Sequence, residues 1–415
     1  MKGLEGKKRG AGVKGRLLRA GAAVCAAVCW LGLMGAAEPD EDGMYFFEED
    51  AVVTEAEVLS IPARSSILMD AASGRVLFEQ NADEAMPPAS ITKIMTLLLT
   101  FEALENGTLT PGQMVVASEN AASMGGTQIW LEPGEEMVLE DVIKAAAVNS
   151  ANDAAMALAE TVAGCETVFV QMMNDKAKEL GMTGTHFVNP TGLDADGHLS
   201  TARDIALMSR ALMQYPEALA YTSIWMDSLR GGETALVNTN KLVRFYKGCN
   251  GLKTGTTDGA GSCLSATATR NGLSLIAVSM GSATSAERFT SCRTLLDYGF
   301  SAFERFTPTL DEEELQPVRV LRGTLPQTAV QAGELPSLLI PKGKGGEVEK
   351  KLTLESEVEA PVRQGQVLGS VRFSLNGEPL CEVPLIASEE VERLTFLTAL
   401  RLLWQRLLGG APPAA

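Results

Sequence analysis

Histidine is almost absent: His186 and His198 are the only two in 415 residues. No cluster of histidine and cysteine has the spacing of a zinc site, and neither histidine lies in a motif that marks it as a base. A serine–histidine–aspartate triad is not excluded by count alone. Aromatic residues make up 5% of a chain that is 46% apolar, so aliphatic side chains and methionine must carry the packing. Positive charge is also scarce. Lysine and arginine number 35 against 52 acidic residues, a formal net charge of −17. Nucleic-acid binding needs a basic stripe, and this balance argues against it. At this length the chain has room for two or three domains.

The basic residues that exist crowd the start. Lys2, Lys7, Lys8, Arg9, Lys14, Arg16 and Arg19 precede an uncharged run over residues 20–37. Gly35, Ala36 and Ala37 suit a signal peptidase, and Glu38-Pro39 follows at once. Residues 1–37 are therefore expected to be an export signal, cut after Ala37, with an uncleaved anchor as the alternative. Cys25 and Cys29 follow valines, which argues against a lipoprotein cysteine. Cleavage removes seven basic residues and one acid and moves the net charge from −17 to −23. It leaves Cys165, Cys249, Cys263, Cys292 and Cys381. An odd number at wide spacing predicts free, mostly buried thiols, with one pair among Cys249, Cys263 and Cys292 as the alternative. Residues 38–57 read as an acidic, solvated linker.

The chemistry gathers on three short strings. In the first, Pro87-Pro88-Ala89-Ser90-Ile91-Thr92-Lys93, the prolines end an extended segment, and residues 91–104 read as an apolar helix. Ser90 opens that helix with Lys93 one turn on, so the amine can reach the hydroxyl. A buried lysine near a second cation is held neutral and can take a serine's proton. The helix start also offers free N–H groups beside Ser90 for a developing oxyanion. In the second string, Ser150-Ala151-Asn152, a tight turn interrupts two helical runs at 139–148 and 154–162. Ser118-Glu119-Asn120 and Ser374-Leu375-Asn376 share the pattern but lack helical flanks. The third, Lys253-Thr254-Gly255, reads as a strand edge able to pair with an extended peptide, with Gly255 leaving room for a close approach. Two further strands, 264–269 and 273–280, turn at Asn271-Gly272, a hairpin signal. Residues 66–70 and 75–79 read as another hairpin. His198 is expected to be a structural hydrogen-bonder, and Thr201 or Ser200 a helix cap.

In this order, Ser-x-x-Lys, Ser-x-Asn and Lys-Thr-Gly form the signature set of penicillin-binding proteins and serine β-lactamases. The sequence resembles the low-molecular-weight penicillin-binding proteins that are serine-type D-alanyl-D-alanine carboxypeptidases. The likeness runs over residues 59–388 and includes Asn189-Pro190-x-Gly-Leu193, His198-x-Ser-Thr-Ala-Arg-Asp204, Asn238-Thr-Asn-Lys-Leu242 and Met280-Gly281. It implies an α+β fold: a transpeptidase-like domain with an antiparallel sheet and a helical cluster over 58–305, then a small β-sandwich over 306–388. It implies that Ser90 attacks the D-Ala-D-Ala carbonyl of a peptidoglycan stem peptide and Lys93 takes its proton. Ser150 would pass a proton to the leaving D-alanine, and Asn152 would hold the acyl-side amide. The backbone N–H groups of Ser90 and Thr256 would form the oxyanion hole. Lys253, Thr254 and Arg288 would lie at the substrate carboxylate, and β-lactams would trap Ser90. No metal or cofactor is implied. Where some relatives carry Asn-Arg-Asn, this chain has Asn238-Thr239-Asn240, which removes any contact from that arginine. The alternatives are a serine β-lactamase, for which Glu160 and Glu166 lack the deacylating-base pattern, and a non-hydrolysing wall-binding or β-lactam-sensing protein.

The tail shows short alternating strands with Gly/Pro turns, as a small β domain requires. Residues 389–408 then place leucines, Phe396 and Trp404 at helical spacing, with Arg393, Arg401 and Arg406 between them. The stretch is too short and too charged to span a bilayer comfortably and is expected to lie on a membrane surface as an amphipathic helix, with a core or coiled-coil helix as the alternative.

Overall fold

In this computed structural model the structure describes residues 59–407. The expected export signal and acidic linker lie outside the described residues. Five antiparallel strands make the central sheet: β1 (Ser65–Asp70), β2 (Val76–Gln80), β7 (Cys249–Thr257), β8 (Gly261–Arg270) and β9 (Leu273–Ser282), in the order β2-β1-β9-β8-β7. The two ends of the chain segment thus meet at the sheet centre, where β1 pairs with β9. Strand β7, which carries Lys253-Thr254-Gly255, is an edge, as its sequence predicts. The β8–β9 turn has Asn271 and Gly272 both at positive φ, 49° and 79°, as a two-residue hairpin loop requires.

Between β2 and β7 the chain builds a helical cluster: α1 (Lys93–Glu105), α2 (Leu139–Val148), α3 (Asn152–Ala163), α4 (Glu166–Glu179) and α5 (Ala202–Leu212). Helix α1 is buried nearly all round, which explains why its sequence is apolar without a clear stripe. Thr201 caps α5 by accepting from Asp204 N–H. Two small antiparallel pairs accompany these helices, β3 (Met114–Val116) with β4 (Glu136–Val138) between α1 and α2, and β5 (Met226–Leu229) with β6 (Thr234–Val237) between α5 and β7. The other face of the sheet is covered by α6 (Ser285–Ala302), which opens with a Thr284/Glu287 capping box. The sheet is therefore buried on both faces.

The strand Phe303–Phe306 pairs with Leu338–Pro341, so it joins the catalytic half to the C-terminal β domain. That domain holds a three-stranded and a four-stranded sheet that share one core through Val318, Val320, Val371, Val383 and Leu385. This is the expected small β-sandwich. The terminal helix, α7 (Phe396–Leu407), starts later than the spacing predicts. Val391 is fully buried in the sandwich core and bridges to Val362, and this holds the preceding residues out of the helix. All five described cysteines are free; Cys263 and Cys292 are buried, Cys249 and Cys381 half-buried, and Cys165 exposed. Among the described residues no helix is long and apolar enough to cross a membrane.

Candidate active site

Ser90 does not cap a helix through its side chain. It lies in a 3-10 turn, Ala89–Thr92, that runs into α1 at Lys93. The tighter turn has three residues per revolution, so positions i and i+3 eclipse. Lys93 Nζ is consequently 3.1 Å from Ser90 Oγ. Ala89, just before the nucleophile, is held at φ 50°. Nothing can intrude behind it: a Cβ on Gly192 would lie 1.9 Å from the Ala89 carbonyl oxygen and 2.9 Å from Ser90 N.

Lys93 is fully buried. Besides Ser90 it meets Asn152 Oδ1 at 2.5 Å and the Thr191 carbonyl oxygen at 2.7 Å. Two of these three partners can only accept. A neutral amine has two N–H donors and one lone pair, which matches two acceptors and one hydroxyl. Burial lowers the Lys93 pKa to about 7, against the opposing pull of the Asp153 carboxylate. Geometry and desolvation thus agree on an amine free to receive the Ser90 proton. Asn152, the first residue of α3, also donates Nδ2–H to the Gly125 carbonyl oxygen at 2.7 Å, which fixes its orientation. Ser150 stands in the turn between α2 and α3 at φ 65°, nearly buried. Of the three Ser-x-Asn strings only this one reaches Lys93. Ser118 caps a short helix, and Ser374 lies in the sandwich.

The edge strand β7 closes the other wall. A Cβ on Gly255 would meet the Pro88 carbonyl oxygen at 2.9 Å and Ser90 N at 3.1 Å, so only glycine allows this contact. Lys253 is buried and donates to the carbonyl oxygen of its neighbour Thr254. Burial, Lys93 and Arg288 together push its pKa well down. Arg288 sits behind the strand, nearly buried. Its Nη1 donates to the Gly255 carbonyl oxygen at 3.0 Å and to Thr256 Oγ1 at 2.8 Å, while Nε has no hydrogen-bond partner among the described residues. Thr256 itself is exposed to the cleft. Arg288 and two buried lysine amines thus gather at one short stretch of strand, where an arriving carboxylate would favour their protonated forms.

The chain as a whole is similar to known proteins. A model of the D-alanyl-D-alanine carboxypeptidase family, Peptidase_S11, matches residues 51–284, more than half of the chain. The chain belongs to this family. The C-terminal domain of penicillin-binding protein 5 matches residues 303–393. D-alanyl-D-alanine carboxypeptidase DacF of Bacillus subtilis is 40% identical over 347 residues, 83% of this chain and 89% of that protein. DacC of Escherichia coli is 39% identical over 364 residues, 85% of this chain and 90% of that one. Penicillin-binding protein 5 of Haemophilus influenzae superposes with a TM-score of 0.70 at 31% identity, covering 81% of this chain and all of that one. Penicillin-binding protein D2 of Listeria monocytogenes, solved in a cefotaxime-bound form, gives 0.54 at 34% identity over 59% of this chain and 99% of that one. The activity is that of a serine-type D-alanyl-D-alanine carboxypeptidase.

Several residues of this carboxypeptidase site carry no motif of their own. Asp153 is fully buried and accepts from the N–H groups of Ile129, Leu131 and Ala154, so it locks residues 125–131 against Asn152. Its only sequence signal is its place directly after Asn152. Asn189 Oδ1 accepts from Thr191 N–H and Gly192 N–H, an Asx turn that aims the Thr191 carbonyl at Lys93. Further along the same loop, Asp194 accepts from Thr257 Oγ1–H at 2.8 Å and ties the loop to the end of β7. Thr239, at the position of the missing arginine, accepts from the Thr254 hydroxyl at 2.6 Å. His198 is structural, as its surroundings require: Val188 N–H donates to Nδ1, so Nε2 carries the proton and donates to Thr92. Burial and the neighbouring His186 lower its pKa to about 4, and the ring is neutral. Glu160 is held by Ser118 and Asn120, which removes it as a deacylating base.

Proposed function

We propose that the protein removes the terminal D-alanine from peptidoglycan stem pentapeptides through an acyl-enzyme on Ser90. The observation that carries this is the placement of one buried amine between Ser90 Oγ, Asn152 Oδ1 and the Thr191 carbonyl. Lys93 takes the Ser90 proton as Oγ attacks the penultimate carbonyl, and the buried Asp153 carboxylate offsets the new charge. The developing oxyanion is met by the N–H groups of Ser90 and Thr256, which Gly255 allows to approach each other. Ser150 carries a proton to the leaving amine, and water then frees the enzyme. Lys253 and an Arg288-polarised Thr256 hydroxyl receive the free carboxylate beside Thr254, whose hydroxyl is turned to Thr239, and this restricts the enzyme to a terminal D-alanine. A β-lactam mimics that terminus and acylates Ser90.

We place this work outside the cytoplasm, with residues 1–37 as export signal and α7 lying on the outer leaflet. Phe396, Leu397, Leu403, Trp404 and Leu407 are all more than half exposed on α7, an apolar face left uncovered among the described residues. The test is to incubate the soluble enzyme with diacetyl-L-Lys-D-Ala-D-Ala and with a chromogenic cephalosporin. D-alanine release with slow cephalosporin turnover supports the reading; fast cephalosporin hydrolysis replaces it with a β-lactamase. Ser90→Ala is expected to abolish both D-alanine release and covalent penicillin labelling.

A further inference from the structure

Trp130 is three-quarters exposed, 75%, although its neighbours Ile129 and Leu131 are buried in the main core. Its φ is +60°, a left-handed conformation in which a bulky side chain is a genuine outlier. The cause is on both sides of it. Ile129 N–H and Leu131 N–H both converge on the Asp153 carboxylate, at 3.0 and 3.1 Å, and the residue between them is thrown outward. Arg230 braces the same spot by donating Nη1–H to the Ile129 carbonyl oxygen at 2.8 Å while pairing with Glu135. A glycine would meet this backbone with less strain. A tryptophan held there points to a use for the indole rather than for the turn.

The position is tied to the active site. The segment that carries Trp130 also supplies the Thr127 carbonyl to Asn152 N–H and the Gly125 carbonyl to Asn152 Nδ2–H, each at 2.7 Å. Arg230 belongs to the turn of the β5–β6 hairpin, and that hairpin runs on to Thr239, which is bonded to Thr254. So a single braced lip leads from Asn152 to Thr254. Its exposed apolar groups are Trp130 and the register partners Met226 and Val237, 62% and 42% exposed.

We propose that Trp130 is the platform of an outer subsite that stacks on a neutral sugar ring of the glycan to which the stem peptide is attached. The inference rests on the carboxypeptidase reading, in which the peptide lies along the β7 edge and its carrier lies further out. A flat, exposed indole with an apolar face and a polar N–H matches a sugar ring, which has an apolar face and a hydroxylated rim. Exposed Glu132, two residues on, selects against an anionic carrier.

The test compares two substrates on the full enzyme: diacetyl-L-Lys-D-Ala-D-Ala, and the N-acetylglucosaminyl-N-acetylmuramyl pentapeptide. Trp130→Ala is expected to raise KM for the disaccharide pentapeptide about three- to tenfold. Its kcat, the short-peptide constants and the penicillin acylation rate should stay as in the wild type, and Trp130→Phe should recover most of the loss. Trp130→Gly, which suits the backbone, should show the same KM effect with an unchanged or raised Tm. In parallel, the peptide-free disaccharide should shift the tryptophan emission of the wild type and leave that of Trp130→Phe unmoved. An equal loss on both substrates, or a loss on neither, overturns the subsite, as does an identical emission response in both proteins. If the wild type releases no D-alanine from either substrate, the carboxypeptidase reading fails, and the emission titration still decides the sugar contact.

Discussion

Lys93 Nζ and Asn152 Oδ1 are 2.5 Å apart, which joins the first and second motifs of the site across 59 residues of chain. The bond orients the amine, and burial sets its proton affinity near neutrality. Penicillin acylation of Ser90 should therefore rise with pH along a limb with an apparent pKa near 7, since only the uncharged amine can accept the proton. Asn152→Asp puts a carboxylate beside the amine, favours the ammonium, and should move that limb upward by about a pH unit or more. The same change sets a carboxylate against the Gly125 carbonyl, so Tm should fall. A limb that stays unmoved in Asn152→Asp would mean that another group governs the rate.

Gly192→Ala tests how tightly the nucleophile is backed. The new Cβ would sit 1.9 Å from the Ala89 carbonyl oxygen at a residue with φ 84°, and backbone cannot yield as a flexible side chain can. Ser90 must shift, and acylation should drop by about a hundredfold or more, because small misplacements at a reacting centre cost about that factor. Gly255→Ala meets its neighbours at 2.9 Å and beyond, so its loss should be smaller. Stopped-flow acylation with a chromogenic cephalosporin ranks the two; equal losses would contradict the contact geometry.

Lys253 shows that the site is bought with stability. The side chain is buried beside Lys93 and Arg288 and has no salt-bridge partner among the described residues. Replacing it with methionine should abolish D-alanine release and yet stabilise the fold by about 1–3 kcal/mol, a rise of a few degrees in Tm. The pH dependence has a definite sign. A lysine whose folded pKa is depressed binds fewer protons folded than unfolded, so stability climbs as pH rises from the folded value toward 10.5. Thermal melts from about pH 7 to 10 should show a flatter climb for Lys253→Met than for the wild type. A variant that melts lower throughout would show that the lysine is structural.

Much of this was legible in the chain itself because it rests on local rules. The Ser90–Lys93 pair follows from i, i+3 spacing, the Asn271-Gly272 turn from positive φ, and Gly255 from the need for close approach at an edge strand. The residues that escaped notice act across long separations or through the backbone. Asp153 gathers N–H groups from a loop more than twenty positions earlier, and no spacing rule announces that. Thr191 contributes a carbonyl oxygen, which every residue has. The resemblance implies Arg288 at the carboxylate, but no spacing rule reports the strand contacts that hold its Nη1 behind Thr256.

The late start of α7 separates anchoring from folding. Val391 is fully buried in the sandwich core and pairs with Val362, and Leu394 N–H donates to the Arg322 carbonyl oxygen. A chain ending at Ala387 removes those contacts along with the helix. One ending at Thr395 removes the helix alone. If α7 is the membrane contact, the chain ending at Thr395 should leave anionic lipid vesicles in a flotation assay while keeping full activity and the wild-type Tm. The chain ending at Ala387 should also leave the vesicles but melt several degrees lower, since burying a valine-sized side chain contributes about 1.5–3 kcal/mol. Continued vesicle binding by the chain ending at Thr395 would assign the membrane contact to another part of the protein.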